Sequence, residues 1–143
     1  MAIKQISIFV ENKKGALADV LKCLSDNNVS LRAMSIADTK DFGILRIIVD
    51  DKDAAIKALT DGEIVFSVND VIAAEAADVP GGLASVLKVL MDADIDLEYT
   101  YAFVVEDGQR ACAILRISDI ELGEKVLTEA GVPMVSEEDI LRI

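Results

Sequence analysis

Histidine and tryptophan are absent from this chain of 143 residues, and aromatic side chains make up only 4% of it. Without histidine, the sequence lacks the commonest general base near neutral pH and the commonest metal ligand in proteins. The chain therefore cannot form a Ser–His or Cys–His nucleophile pair, or a zinc site that needs histidine.

Cysteine is scarce, and no nucleotide-binding glycine motif is present. Cys23 and Cys112 lie far apart in apolar segments and form no CxxC motif, so we predict two small buried hydrophobes. There is no Walker loop and no GxGxxG motif after a strand. We therefore expect no catalytic residue, no cofactor and no metal site.

Positive charge is also scarce: 14 lysines and arginines face 26 aspartates and glutamates, for a formal net charge of −12. The sequence pI near 4.3 predicts a surface that repels nucleic-acid phosphates and anionic membranes. No apolar run approaches the roughly 18 residues of a membrane-spanning helix. Residues 1–10 lack the apolar core and cleavage site of a signal peptide. We expect a cytoplasmic protein that binds neither nucleic acid nor membrane.

Aliphatic residues are abundant, and they repeat along the chain. Hydrophobic residues make up 52% of the sequence, which predicts a packed globular protein. When the sequence is shifted by 66 positions, residues 15–31 match residues 81–97. Later matches keep the same order: 44–47 with 114–117, 59–60 with 127–128, and 70–71 with 139–140. Preserved order predicts a duplication, with one domain at 1–69 and a second at 70–143.

Both copies show the same alternation of strands and helices. In the first, apolar residues predict strands at 3–10, 29–37, 44–49 and 64–68. Leu17, Val20, Leu21 and Leu24 form the apolar face of one helix. A second helix is capped by Asp50 or Asp51 and ends at Gly62.

The second copy follows the same order to the end of the chain. Its predicted elements are a strand from Val71, a helix from Gly82, a strand at 95–105, a hairpin at Asp107–Gly108, a strand at 111–117, a helix after Asp119 and a last strand around Ile140. The order βαββαβ, found twice, predicts an α+β protein of two ferredoxin-like domains in tandem. Each domain has a four-stranded antiparallel sheet with both helices on one face.

Two features of the predicted strands bear on their surroundings. Tyr99, Tyr101 and Phe103 form an aromatic row at period two, which favours packing between the two sheets or between two chains, or stacking on a ligand. So much apolar sheet surface favours a homodimer.

Arg46 and Arg116 occupy equivalent positions in the matched segments, and we expect each to pair with an acid on a neighbouring strand.

The turn before the first helix of each copy resembles a known motif. Residues 12–17, Asn-Lys-Lys-Gly-Ala-Leu, and residues 78–83, Asp-Val-Pro-Gly-Gly-Leu, resemble the Asn-x-Pro-Gly-x-Leu turn of ACT domains. Residues 28–31 and 94–97 are similar to that family's entry to its second strand. The resemblance covers both copies and implies ACT-type regulatory modules, which pair and occur on enzymes such as phosphoglycerate dehydrogenase and aspartokinase.

The resemblance also implies where a ligand binds. In ACT domains a small ligand, usually an amino acid, lies where the first turn of one domain meets its partner. The implied ligand-binding residues are Asn12, Lys14, Gly15, Ala16 and Leu17 in the first copy, and Asp78, Pro80, Gly81, Gly82 and Leu83 in the second. Lys14 replaces the proline of the motif, and Asp78 replaces its asparagine.

The chemistry of these turns suits a zwitterion. A helix start offers unpaired N–H groups and a positive dipole end, both of which attract a carboxylate. Gly15 and Gly81 leave the backbone accessible, and Asp78 can accept a hydrogen bond from an ammonium group. A second interpretation remains open: Asn12 and Asp78 are simply helix N-caps, and the glycines serve the turn.

The predicted function is a non-catalytic regulatory protein that binds an amino acid and is read by a partner enzyme or transporter. The alternative is a structural or interaction module, such as an accessory subunit, without ligand binding. An enzyme of the acylphosphatase type on the same fold needs an arginine in the first turn, and neither turn has one.

Overall fold

The computed structural model of the chain describes residues 2–38, 41–104 and 110–142. They divide into two compact units, the first formed by the described residues of 4–69 and the second by the described residues from Asp70 onward together with residues 2–3. In chain order the elements are β1 (Ile3–Glu11), α1 (Ala16–Asp26), β2 (Leu31–Asp38), β3 (Phe42–Val49), α2 (Lys52–Asp61), β4 (Phe66–Ala77), α3 (Gly82–Asp92), β5 (Leu97–Val104), β6 (Arg110–Ile117), α4 (Ile120–Glu129), β7 (Met134–Val135) and α5 (Glu137–Arg142).

The first unit is built around β1. This strand pairs with β3 in antiparallel fashion, with Ile8 opposite Leu45, and β3 pairs in turn with β2. On the other side of β1, the N–H of Phe9 donates a hydrogen bond to the carbonyl of Val65 at 3.1 Å. The fourth strand of this unit is the start of β4, which lies next to β1. Numbered along the unit, the strand order is therefore 4-1-3-2.

The second unit repeats that order. β4 pairs with β7 on one side and β6 on the other, and β6 pairs with β5, all in antiparallel fashion. The order β7-β4-β6-β5 is again 4-1-3-2. The predicted fold class, two ferredoxin-like βαββαβ repeats with antiparallel sheets, is confirmed.

The two longer helices of each unit, α1 and α2 or α3 and α4, pack on the same face of its sheet. In the first unit the core joins Ile8 and Leu45 of the sheet to Leu24 of α1 and Leu59 of α2, and these four side chains are at most 1% exposed. The second core joins the equivalent elements, with Ile72, Leu115, Leu90 and Leu127 at its centre. Each such buried side chain contributes about 1.5–3 kcal/mol relative to exposure.

The last predicted strand is wrong, because Ile140 lies in a helix. The closing strand is β7, and Ile140 is buried on α5. Ser136 and Asp139 form a capping box that starts this helix: the Asp139 N–H donates to Ser136 Oγ at 3.1 Å, and the Ser136 N–H donates to the Asp139 carboxylate at 3.4 Å. The match of residues 139–140 with 70–71 is therefore coincidental.

The predicted equivalence of Arg46 and Arg116 is also wrong. Val49 lies opposite Leu31 as Ile117 lies opposite Leu97, so residues 44–49 correspond to 112–117. Arg116 then corresponds to Ile48. Side chains in a strand alternate between the two faces of the sheet, so an alignment that is wrong by two residues still assigns every side chain to the correct face. The apolar pattern therefore does not reveal the wrong alignment.

The expected acid partner of Arg116 is confirmed. Its Nε donates to Glu98 at 2.9 Å, and its Nη1 donates to the carbonyl of Asp70 at 2.7 Å. Arg46 lies opposite Ser7 and Ser35 on its two neighbouring strands. The strands predicted at 64–68 and from Val71 are a single strand, β4, and the predicted hairpin at Asp107–Gly108 lies outside the described residues.

Candidate functional site

Two glycines with the same left-handed backbone begin helices α1 and α3. Gly15 is the N-cap of α1 and Gly81 is the N-cap of α3, each with φ 86°. A side chain at either position would be strained by this φ, although its Cβ would meet no heavy atom within 4 Å. Both glycines are exposed, so a ligand can reach the backbone at each turn.

No side chain caps either of these helices, whereas α2 and α4 are capped in the ordinary way. Asp51 accepts a hydrogen bond from the N–H of Ala54 at 3.0 Å, and Asp119 accepts one from the N–H of Leu122 at 3.0 Å. Asn12 and Asp78 are therefore not N-caps, and that part of the second interpretation is wrong, although the glycines do serve the turn. The N–H of Ala16 donates to the Lys13 carbonyl at 3.2 Å, and the N–H of Gly82 donates to the Val79 carbonyl at 3.0 Å. The N–H groups that follow in each first turn remain available to an external acceptor.

The first turn borders a cavity of about 290 Å³. Asn12 and Leu17 line it, while Lys14, Gly15 and Ala16 do not; its other walls are Val10, Glu11, Lys13, Ile36, Asp38 and Gly43. Lys13 lies 3.0 Å from the Glu11 carboxylate, and this hydrogen bond raises the pKa of the Lys13 ammonium. Both side chains are exposed, so the pair contributes little to stability.

The second turn borders a larger cavity of about 410 Å³. Pro80, Gly81 and Gly82 line it, whereas Asp78 and Leu83 do not. The cavity also contains residues that the sequence did not suggest: Glu75, Ala76, Ala77, Val79, Ser85, Val86, Gly131, Val132 and Pro133. A volume of this size is within the range of small-molecule sites.

Glu75 is the charged group of this second cavity. It lies on β4 among alanines and forms an ion pair with Arg110 at 3.3 Å. Its position between alanines on both sides, in the apolar part of β4, was a signal in the sequence that could have pointed to it. The cavity's far wall, residues 131–133, follows α4 and is joined to β4 through the hydrogen bond from the Glu75 N–H to the Pro133 carbonyl at 2.8 Å.

Several of the predicted site residues serve the fold. Leu17 and Leu83 pack against the two hydrophobic cores. A Cβ on Gly82 would collide with the carbonyl oxygen of Ala77, so this glycine is required by close backbone approach. The equivalent position in the first unit carries Ala16, and there the helix begins with a side chain.

The remaining chemistry of the described residues is sparse. Burial raises the pKa of the Cys112 thiol to about 12, and the nearby Glu75 carboxylate adds to the shift. Within the described ranges 2–38, 41–104 and 110–142, no three Cys, Asp or Glu side chains come together to hold a metal ion. No helix in the described part of the chain is long and apolar enough to cross a membrane.

Comparison with known proteins identifies the family. Residues 1–143 match the model of the ACT domain pair, and the chain belongs to this family. It is similar to protein BT0572 from Bacteroides thetaiotaomicron, with 38% identity over 100% of this chain and 98% of that one and a TM-score of 0.93.

Two more distant structures share the fold. The regulatory subunit of aspartate kinase from Thermus thermophilus, in its ligand-free form, has 16% identity and a TM-score of 0.66 over 89% of this chain and 91% of that one. A chain from the crystal structure of aspartokinase alpha and beta subunits has 15% identity and a TM-score of 0.61, covering 89% and 90%. No curated protein sequence matches the chain.

Proposed function

We propose that residues 1–69 and 70–143 are the two ACT domains of the pair, and that the protein is a non-catalytic regulator that binds an α-amino acid. The second turn, at Pro80, Gly81 and Gly82, is the principal site. The first turn, with Asn12, Lys14, Gly15, Ala16 and Leu17, is a weaker site of the same kind.

The N-terminus of α3 carries this proposal. In the part of the chain that the structure describes, the other four helices each have an acidic residue in the first turn, namely Asp19, Asp53, Glu121 and Glu137. α3 has no acid in its first turn and no side-chain cap. In a chain of net charge −12, the positive end of this one helix dipole is left uncompensated.

The second cavity offers complementary groups for both charges of a zwitterion. Gly81 and Gly82 bring the N-terminus of α3 to the cavity wall, where the positive end of the helix dipole suits the ligand carboxylate, and the Glu75 carboxylate suits its ammonium. Val79, Val132 and Pro133 supply apolar walls, which favour an uncharged side chain. A zwitterion also has no net charge for this acidic protein to repel.

The comparisons support the regulatory part of the proposal. One similar structure is a regulatory subunit of aspartate kinase, and another contains alpha and beta subunits of aspartokinase. We therefore propose that ligand binding is communicated to a partner enzyme of amino-acid metabolism, and that the protein is a homodimer. The aromatic row on β5, which is half-buried, is consistent with packing at an interface.

A thermal-shift screen against the common amino acids tests ligand binding. A ligand present at a hundredfold excess over its Kd adds about 2.7 kcal/mol of stability and raises Tm. The best ligand is then titrated by calorimetry into Gly81→Asp and Gly81→Asn. Asparagine and aspartate both tolerate the left-handed backbone, so the two variants differ mainly in charge.

We expect Gly81→Asp to bind more weakly than Gly81→Asn, because its carboxylate repels the ligand carboxylate. The repulsion is about 1 kcal/mol at 4 Å in water and more in a drier site. Gly15→Asp and Gly15→Asn are the matched controls at the first turn, where a smaller difference is expected. Equal binding by folded Gly81 variants and wild type would place the ligand elsewhere, and no shift with any amino acid would favour the interaction module.

A further inference from the structure

An apolar groove of about 590 Å³ lies along α3 and the segment that leads into β5. Leu87, Leu90 and Met91 form its wall on the helix, and Ile95 and Leu97 form its wall beyond the helix. Asp94 and Asp96 stand at its rim, and both are exposed. None of the proposed ligand-binding residues of the second turn lines this groove.

The first unit provides an internal control for this surface. Positions that support the fold are conserved between the copies or change little: Leu21 and Leu87, Lys22 and Lys88, Leu24 and Leu90, Val29 and Ile95, Leu31 and Leu97. Among the positions that line the groove, three exposed ones differ: Ser25 becomes Met91, Asn28 becomes Asp94, and Ser30 becomes Asp96. The second copy therefore has an apolar centre and an acidic rim where the first is neutral and polar.

Met91 is the centre of this difference. Its side chain is 69% exposed, a large apolar surface for one residue in water. The thioether is flexible and polarizable, which suits contact with partner side chains of varied shape. Serine at the equivalent position of α1 shows that the helix does not need an apolar residue there.

One of the two acids at the rim, Asp94, is unfavourable for the fold itself. Asp94 follows the C-cap of α3, where the helix dipole favours cations, and α3 has no basic residue in its last turn. Within the described residues, neither the Asp94 nor the Asp96 carboxylate forms a hydrogen bond or an ion pair. Lys88, the cation on the groove wall, is already bound to Asp92 at 2.6 Å, as Lys22 is to Asp26 in the first unit.

We infer that this groove is a docking site for a segment of a partner protein that has an apolar anchor side chain flanked by lysine or arginine. The apolar centre accepts the anchor, and the two unpaired carboxylates face the flanking cations. A second copy of this chain is a poor occupant, because the two acidic rims would face each other in a two-fold contact. The inference rests on the proposed function only in that it requires a protein partner.

The test uses two labelled peptides of about 20 residues and fluorescence anisotropy with the full chain. One peptide is a basic amphipathic helix of leucine and lysine; in the other, glutamate replaces lysine. Two groove variants, Met91→Ser and Asp94→Asn/Asp96→Ser, insert residues that the first unit carries at the same positions. Asp53→Asn/Glu121→Gln removes the same charge from exposed sites outside the groove and is the matched control.

The basic peptide should bind wild type and the acidic peptide should not. Met91→Ser should weaken binding about tenfold through loss of the apolar anchor site. Asp94→Asn/Asp96→Ser should weaken it about fivefold at low salt and less at high salt. Asp94→Asn should also raise Tm by about 1–3 °C, because it removes an unfavourable charge at the helix end.

Each of four results would overturn the inference: neither peptide binds, the acidic peptide binds equally well, the groove variants bind like the charge control, or Met91→Ser dissociates a wild-type dimer in sedimentation. The last result would assign the groove to a second copy. The thermal shift with an amino acid should be unchanged in the groove variants, and the peptide affinity should be unchanged in Gly81→Asn. Failure of one proposal is thereby distinguishable from failure of the other.

Discussion

The two units fill two equivalent core positions with side chains of opposite relative size, and the difference can be tested by mutation. In the first unit, Val49 at the end of β3 and Ala55 on α2 are buried in the same core. At the equivalent positions of the second unit the larger Ile117 accompanies the smaller Gly123. We predict that Gly123→Ala is tolerated only when Ile117 is shortened to valine.

The geometry at Gly123 gives the magnitude. A Cβ there would overlap Cδ1 of Ile117, while the next atoms, Cγ1 of Ile117 and Cδ1 of Ile72, would lie at 3.6 and 3.7 Å. Overpacking of this kind costs about 1–3 kcal/mol in a close-packed core. Valine has no Cδ1, so in the Ile117→Val background the new methyl group would have only ordinary contacts.

Helix propensity changes the free energy of unfolding in the opposite direction, because it favours alanine over glycine. Replacing a glycine within a helix by alanine contributes about 1 kcal/mol when no overlap occurs. Ile117→Val alone should cost about 0.5–1.5 kcal/mol. Gly123→Ala should therefore destabilise the wild type, or at best leave it unchanged, and should stabilise the Ile117→Val variant by about 1 kcal/mol. The coupling between the two sites should be about 1–3 kcal/mol.

Urea unfolding of the four proteins, followed by far-UV circular dichroism, measures this coupling. The reciprocal pair in the first unit, Ala55→Gly with Val49→Ile, is the matched control and should also show favourable coupling. If the effects of Gly123→Ala and Ile117→Val add within about 0.5 kcal/mol, the two residues do not compensate and the overlap is relieved in another way.

Three further outcomes follow from the caps and the thiols. Asp119→Ala should lower the free energy of unfolding by about 1 kcal/mol in urea, because the Leu122 N–H loses its acceptor, whereas Asp119→Asn, which keeps a capping oxygen, should cost less. A thiol reagent should modify the partly exposed Cys23 in the native protein and Cys112 only after denaturation, and equal rates would contradict the burial of Cys112. Because the pKa of Cys112 is raised to about 12 from 9.0, its contribution to stability should also decline as pH rises through that interval.

The fold was predictable where periodicity and capping residues agree. The apolar positions of α1 recur on one face of the helix, and Asp51 and Asp119 start α2 and α4 where the sequence placed them. The register of β3 and β6 was not predictable, because a slide of two residues preserves the apolar pattern. α5 was not predicted although Ser136 and Asp139 have the capping-box spacing, because residues 139–140 match residues 70–71, which lie in a strand.

The candidate site was predictable only in its local part. The turn motif led to Gly15 and Gly81, whose left-handed backbone needs glycine. Glu75 and residues 131–133 complete the second cavity, but they are distant in sequence and come together only through the pairing of β4 with β7. A comparison of the two repeats alone also suggests two equal sites, because it rests on the residues that are identical in the two copies. The charged residues around the turns differ between the copies and do not enter that comparison.

Those charges distinguish the two turns more strongly than the motif does. Asp19 in the first unit stands where Ser85 stands in the second, and Glu63, two residues after α2, stands where Gly131 follows α4. Asp19 lies in the first turn of α1, where it partly satisfies the helix dipole and repels an incoming carboxylate. Glu63 also holds a left-handed backbone that Gly131 adopts without strain. The duplication has thus kept the backbone geometry of both turns, while only the second lacks an acid in the first turn of its helix, so the second turn should fill first.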